Sequence, residues 1–218
     1  MEFRGLVELC EVLSKIRERS KMVDLVANFL RELSPSEVEP AVLMILGRPF
    51  PRWSTKSLDI SWATLSDVVL RVVGSKREEL ERAFDATGDL GEAAEMMFSS
   101  KPKRQTTLIE APLTLDEVIR TFDRIAAIKG EGARRRKETI LEGLLSRVTP
   151  LEAKYLIKII MGEMRTGFRE GLMGLAVSRA FDVPPQTIER ATMFRGEIAD
   201  VARVAATEGE KGVLAIGP

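Results

Sequence analysis

The sequence predicts an all-α fold of about a dozen short helices, and three observations carry that prediction. Apolar residues recur at spacings of three and four almost throughout, the period that places them on one helical face. Several segments open with a residue pattern that caps backbone N–H groups at a helix start. No set of runs alternates apolar and polar residues as half-buried strands would.

Taken in order, Phe3, Leu6, Leu9, Leu13 and Ile16 share one face and predict a helix over 2–18. Met22, Leu25, Val26, Phe29, Leu30 and Leu33 do the same for 21–33, with Ser20 placed to cap it. Ser34-Pro35-Ser36-Glu37 fits a capping box with proline at the first helical position, and opens a helix over 35–46. The stretch 47–63, with two prolines and both tryptophans, reads as a loop, and Trp53 and Trp62 read as its core anchors rather than a base-stacking platform. Helices follow over 64–73, over 76–86 behind a box at Ser75 to Glu78, and over 89–98. A polar linker, 99–113, then divides the chain into two helical halves, 1–98 and 114–218. Thr114 to Glu117 opens 115–128, and the glycine-containing run from Lys129 leads into 133–146. Thr149-Pro150-Leu151-Glu152 opens 150–161, and the last helices fall over 170–181, 185–193 and 196–206.

The composition bounds what such a fold can do. At 218 residues, 44% apolar and 30% charged, the chain has the balance of a soluble globular protein. Folding at this length buries roughly 70% of the unfolded surface, enough for a sizeable core. The 33 basic and 33 acidic residues cancel, so any case for a polyanionic partner rests on local clusters. There is no histidine, which removes the commonest general base and metal ligand. Cys10, the one cysteine, lies on an apolar helical face and reads as a core residue. No run reaches the roughly 20 apolar residues of a membrane span and no signal peptide opens the chain, so no membrane partner and a cytoplasmic location are expected. No P-loop, nucleophile elbow, paired-carboxylate site or metal-ligand spacing occurs, and Gly130-Glu131-Gly132 lacks the preceding strand of a dinucleotide fold.

Two stretches instead carry the ingredients of a phosphate site: backbone N–H groups at a helix start, a glycine that admits a ligand, and adjacent arginines. In Gly162 to Gly174, GEMRTGFREGLMG, the turn Arg165-Thr166-Gly167 is followed by Arg169. In Lys129 to Lys137, KGEGARRRK, the glycines Gly130 and Gly132 precede Arg134, Arg135, Arg136 and Lys137; five basic residues and one acidic make +4. Cations at a helix start oppose the macrodipole, which suits a docked anion better than plain stabilisation. A solvated helical face reads the same run, and that alternative stays open. A third junction, Lys15 to Lys21, has four basic residues and one acidic, with Arg19 and Lys21 within reach of the same turn. Three basic junctions on a neutral chain describe a binder of duplex backbone that reads no bases. In the linker after KPKR, Gln105 and Leu108 have the spacing of a truncated sliding-clamp peptide, without its closing aromatic pair; a plain polar linker reads them equally.

The segments KGEGARRRKETIL, TPLEAKYLIKIIMGEMRTGFREGLMGLAVSRAF and IADVARVAATEGEKGVL together resemble the N-terminal DNA-binding domain of archaeal and eukaryotic ATP-dependent DNA ligases. The resemblance runs from SKMVDLVANFL to the C-terminus and is strongest between Leu113 and Phe181. It implies an all-helical, monomeric domain that grips the minor groove on both sides of a nick, with phosphate contacts from Gly130 to Lys137, from Arg165 to Gly167, and from Arg19 and Lys21. It implies a parent enzyme of replication, repair and recombination that seals 5′-phosphate to 3′-hydroxyl with ATP and Mg2+ through a lysyl-adenylate, using adenylation and oligonucleotide-binding-fold domains of the same polypeptide. It also implies a clamp-binding segment around Gln105. Two departures stand out: Ala133 replaces the family's usual serine, and no KxDG adenylation motif occurs. The chain therefore reads as the DNA-binding fragment of such an enzyme, with no catalytic residue, cofactor or metal of its own. A helical protein–protein scaffold and a small-molecule phosphate enzyme are the competing readings; the latter lacks an acid, base or metal cluster beside its turns.

Overall fold

The computed structural model describes residues 1–101 and 111–217. Among them lie twelve helices: α1 (Phe3–Lys15), α2 (Arg19–Arg31), α3 (Pro35–Ile45), α4 (Trp62–Val73), α5 (Arg77–Thr87), α6 (Leu90–Ser99), α7 (Leu115–Ala127), α8 (Ala133–Leu145), α9 (Pro150–Met161), α10 (Glu170–Phe181), α11 (Pro185–Arg195) and α12 (Ile198–Leu214). The described extended pairing is one isolated antiparallel bridge, Glu2 with Thr114. The fold is all-α, as the periodicity predicts.

Three of the four capping boxes form where the sequence places them. The Glu37 carboxylate accepts from the Ser34 N–H at 3.1 Å, Glu117 from the Thr114 N–H at 2.9 Å, and Glu152 from the Thr149 N–H at 3.0 Å. The fourth is displaced by one residue, because Glu79 rather than Glu78 reaches back, to the Lys76 N–H at 3.0 Å. Ser20 is not a cap: the Met22 N–H bonds the Glu18 carbonyl at 3.1 Å, which closes the first turn of α2 on Glu18. Ser61 caps α4, accepting from the Thr64 N–H at 3.2 Å, so Trp62 begins a helix instead of ending a loop. Trp53 is no core anchor: it is 62% exposed and tethered by its indole N–H to Asp200 at 3.0 Å. The helical span from Ile198 is broken at Gly209, whose φ 62° and ψ −156° are not helical, close to the expected end at 206; a further short helical segment then carries Gly212 and Val213 to buried positions.

The chain forms two compact units that do not coincide with the halves on either side of 99–113. The first comprises Met1, Glu8–Thr55 and Met164–Pro218; the second comprises Glu2–Val7 and Lys56–Glu163. In the first unit α2 packs on α10, α3 on α12, and α11 on α12. Met22, Val23, Val26, Ala27 and Leu30 supply the buried face of α2, and Met173, Ala176 and Val177 that of α10. Cys10 is buried there, as its apolar face predicts. Glu197, fully buried, organises the loop after α3: it accepts from Arg48 Nη1 at 2.8 Å and from the Arg52 N–H at 3.0 Å.

In the second unit α6 lies against α9, α5 against α6, and α4 against α8. A Cβ added to Gly91 would stand 2.7 Å from Lys158 Cγ and 2.8 Å from the Lys154 carbonyl oxygen, so only glycine admits this approach of α6 to α9. The contact buries two lysines of α9. Lys158 Nζ donates to Asp89 Oδ2 at 2.7 Å, while Asp89 Oδ1 caps α6 by accepting from the Glu92 N–H at 2.9 Å. Lys154 Nζ stands 3.5 Å from Glu95. These lysines of the LEAKYLIK segment therefore join helices, a role their apolar neighbours do not suggest.

Candidate nucleic-acid interface

In the second unit the chain reverses between α7 and α8 within a few residues, through Gly130 at φ 83° and Gly132 at φ 69°. Both conformations lie in the left-handed region where a side chain is strained. Gly132 is the N-cap of α8 and brings no side chain to cap it, and the first turn holds no acidic residue. The positive end of this helix is thus left to its own arginines and to any anion that docks.

The four cations read as one run have four different environments. Arg134 is held by Asp67 at 3.1 Å and Glu138 at 3.0 Å. Arg136 folds back on the turn, donating to the carbonyls of Lys129 at 2.8 Å and Glu131 at 3.2 Å, and so clasps the loop from within. Lys137 is buried, its Nζ bonded to the Leu58 carbonyl at 2.6 Å. That carbonyl takes the place of the solvent-facing phosphate contact expected of Lys137. Arg135 is exposed, and no described side chain pairs with it. Asp59, 3.9 Å from Lys129 Nζ, lies beside the turn; the Ser57 hydroxyl and then the Lys137 and Lys129 charges hold its carboxyl below the usual range.

In the first unit the segment Met164–Arg169 alternates. Met164, Thr166 and Phe168 are buried, while Arg165, Gly167 and Arg169 are exposed. The apolar residues pin the turn and the cations are carried outward by the same register. Thr166 is inside, its Oγ accepting from the Phe168 N–H at 3.2 Å, so its hydroxyl shapes the turn rather than facing solvent. Arg165 holds φ 54°, an uncommon backbone state for a residue with a side chain, and Gly167 holds φ 74°. Arg169 is the extended N-cap of α10 and gives it no side-chain cap. Met22 Cε lies 3.9 Å from where a Gly167 Cβ would stand, which sets the turn against the start of α2. Arg19 and Lys21, both exposed, occupy that start. Tertiary packing thereby brings the first and third junctions of the sequence together, while the second belongs to the other unit.

Gln105 and Leu108 lie outside the described residues. Among the described residues no three His, Cys, Asp or Glu side chains form a metal-holding group, and no helix is long and apolar enough to cross a membrane. Arg120 and Arg124 on α7 were not singled out by sequence; their spacing of four, which puts both on one helical face, was the available signal.

The profile of the family described as the DNA ligase N terminus matches residues 2–176. The chain belongs to that family. The matched span takes in α2, both basic turns and the buried lysines of α9, and similarity to individual ligases continues through α11 and α12. The DNA ligase of Archaeoglobus fulgidus is 40% identical over 214 residues, which cover 98% of this chain and 38% of that protein. The DNA ligase of Methanopyrus kandleri is 37% identical over 99% of this chain and 38% of its own length. That of Thermococcus onnurineus is 33% identical over 98% of this chain, again 38% of its own length. This ligase N-terminal chain thus spans 38% of the length of the relatives it matches.

Proposed function

We propose that this chain is the DNA-binding module of an ATP-dependent DNA ligase, holding nicked duplex across the minor groove by phosphate contacts that do not read sequence. The observation that carries the reading is the outward presentation of Arg135 in one unit, and of Arg19, Lys21, Arg165 and Arg169 in the other, on a chain with no net charge. Each of the two groups stands at a helix start without a side-chain cap, where backbone N–H groups favour a phosphate. Arg134 and Arg136 hold the 130–137 turn in shape; Gly130 and Gly132 let a backbone approach that turn, and Gly167 does the same for the Arg165–Gly167 turn of the other unit.

The residues present do not fit ATP or Mg2+: no KxDG occurs in the sequence, and no group of three His, Cys, Asp or Glu side chains is placed to hold a metal among the described residues. In this reading the lysyl-adenylate chemistry, its cofactors, and the sealing of nicks in replication, repair and recombination belong to the adenylation and oligonucleotide-binding-fold domains of the same polypeptide. The chain acts as a monomer on the nucleoid, in the cytoplasm, and the segment with Gln105 and Leu108 engages the sliding clamp.

A gel shift with a nicked duplex across a salt series tests this. With about five phosphates neutralised, log K should fall against log salt with a slope of roughly −4 to −5. Arg135→Ala and Arg165→Ala should each weaken binding by a similar factor on unrelated sequences and reduce the slope by about 0.9. Absence of binding at low salt, or binding that salt does not touch, overturns the reading. The competing reading, a helical protein-interaction scaffold, draws on one observation. A groove of about 400 Å3 beside α10 and α11 is lined by Leu175, Ile188 and Met193, with Met193 79% exposed and Phe194 54% exposed nearby. Capture of a protein partner by a chain that ignores duplex would select it.

A further inference from the structure

A groove between α7 and α8, inside the second unit, carries cations that the two basic turns do not use. Arg120 and Arg124 line it from α7; Thr139, Gly143 and Arg147 line it from α8 and the residues that follow, around a space of about 460 Å3. The lining holds three guanidiniums and one carboxylate, Glu117, a local charge of +2 on a neutral chain. That carboxylate is already engaged: Glu117 accepts from the Thr114 N–H at 2.9 Å and from Arg147 Nη1 at 3.1 Å. Arg147 is thereby occupied within the groove, while the other two arginines make no bond to its carboxylate. Arg120, 76% exposed, is held only by a surface pair with Asp116 at 2.9 Å, of the kind worth about 0–1 kcal/mol. Arg124 is exposed, and no described side chain pairs with it.

Position sets the ligand class. Arg135 precedes Thr139 by one turn on the same face of α8, so the cation that stands open at the 130–137 turn lies one helical turn from the groove's α8 wall. Arg120 and Arg124 lie four residues apart on α7, about 6 Å along its axis, against about 3.4 Å per phosphate along one strand of duplex. Gly143 leaves the α8 wall low, since nothing stands within 4 Å of where its Cβ would be. An open groove with well-separated guanidiniums suits a continuous backbone better than a small enclosed anion. We propose that Arg120 and Arg124 contact phosphates of the same duplex, extending the backbone contact from Arg135 along the α7–α8 groove. The proposal rests on the duplex-binding reading.

The test is Arg120→Ala/Arg124→Ala in the salt series on nicked duplex, beside wild type and Arg135→Ala. Both side chains are exposed, so thermal melting should be unchanged, and the slope should lose about 1–2 through the loss of one or two phosphate contacts. Arg120→Lys/Arg124→Lys keeps the charge and should restore the slope. Failure of wild type to bind would overturn the duplex reading itself. Wild-type binding with the alanine variant unchanged in slope and affinity would leave that reading standing and overturn this inference. Titration of inorganic phosphate supplies a second arm: a response that needs Arg124, combined with an unchanged slope on duplex, would identify a small-anion site and overturn the backbone assignment.

Discussion

Replacing Asp89 with alanine removes two functions from one buried carboxylate, and their cost follows from the contacts. Oδ2 is the partner of Lys158 Nζ at 2.7 Å, with both side chains under a tenth exposed, and Oδ1 caps α6 through the Glu92 N–H. Taking one partner from a buried ion pair leaves an uncompensated charge and costs about 3–5 kcal/mol, and losing a cap costs about 1. These overlap at one site, so about 4 kcal/mol is expected for Asp89→Ala, a melting-temperature drop of about 8–16 °C for a chain of this length. Lys158→Met should cost somewhat less, about 3 kcal/mol, because the stranded carboxylate keeps its N–H bond. In Asp89→Asn/Lys158→Met the asparagine still caps and no charge is buried, so stability should return to within about 1 kcal/mol of wild type. Thermal melting followed by circular dichroism on wild type, Asp89→Ala, Asp89→Asn, Lys158→Met and the double variant tests this, with Asp89→Asn and Lys158→Met as the singles that close the cycle. An Asp89→Ala protein melting within about 3 °C of wild type, or a double variant as unstable as the sum of the singles, would refute the account.

Further expectations concern the loop after α3, the basic turns and acid. Glu197→Gln removes the nearest charge from the Arg48 guanidinium, leaving it the amide oxygen and Glu170 at 3.9 Å, and should cost about 2 kcal/mol, with a shift in fluorescence as Trp53, tethered nearby at Asp200, loosens; an unchanged emission would contradict it. Gly167→Ala finds room beside Met22 but needs a left-handed backbone, so stability should fall by about 1 kcal/mol in denaturant melts, with less loss of duplex affinity than Arg165→Ala causes. Glu117 has its carboxyl held below 4.5 by the Thr114 N–H first, then by the Arg147 guanidinium. A lowered carboxylate contributes stability that is full above its unfolded value and is lost as pH falls through the folded one. Melting temperature should therefore drop with pH below 4.5 in wild type and drop less in Glu117→Gln, and parallel pH profiles would count against it.

The helical class, three of four capping boxes and most helix boundaries were legible in the sequence because they rest on local physics. Apolar spacing and side-chain capping act within one or two turns and need no knowledge of what packs where. The box at Glu79 and the cap at Glu18 were missed by small shifts, since neighbouring residues offered nearly equal local solutions, and the short helical segment beyond the break at Gly209 was missed altogether. The candidate site was legible as composition and as family resemblance, but not as a set of contacts. Arg134, Arg135, Arg136 and Lys137 read alike on paper, yet one pairs with carboxylates, one stays open, one clasps its own loop and one is buried.

By itself, then, the sequence determined an all-α chain of the DNA ligase N-terminus family with cations gathered at helix junctions. Tertiary structure alone decided which cations face solvent, because that depends on distant partners such as Asp67 and the Leu58 carbonyl, brought in by the packing of the second unit. It alone set the Arg165–Gly167 turn against the start of α2, a pairing between residues well over a hundred positions apart, and it alone turned Arg120 and Arg124 toward α8. Local periodicity says which face of a helix is wet; only the packed fold says what that face meets.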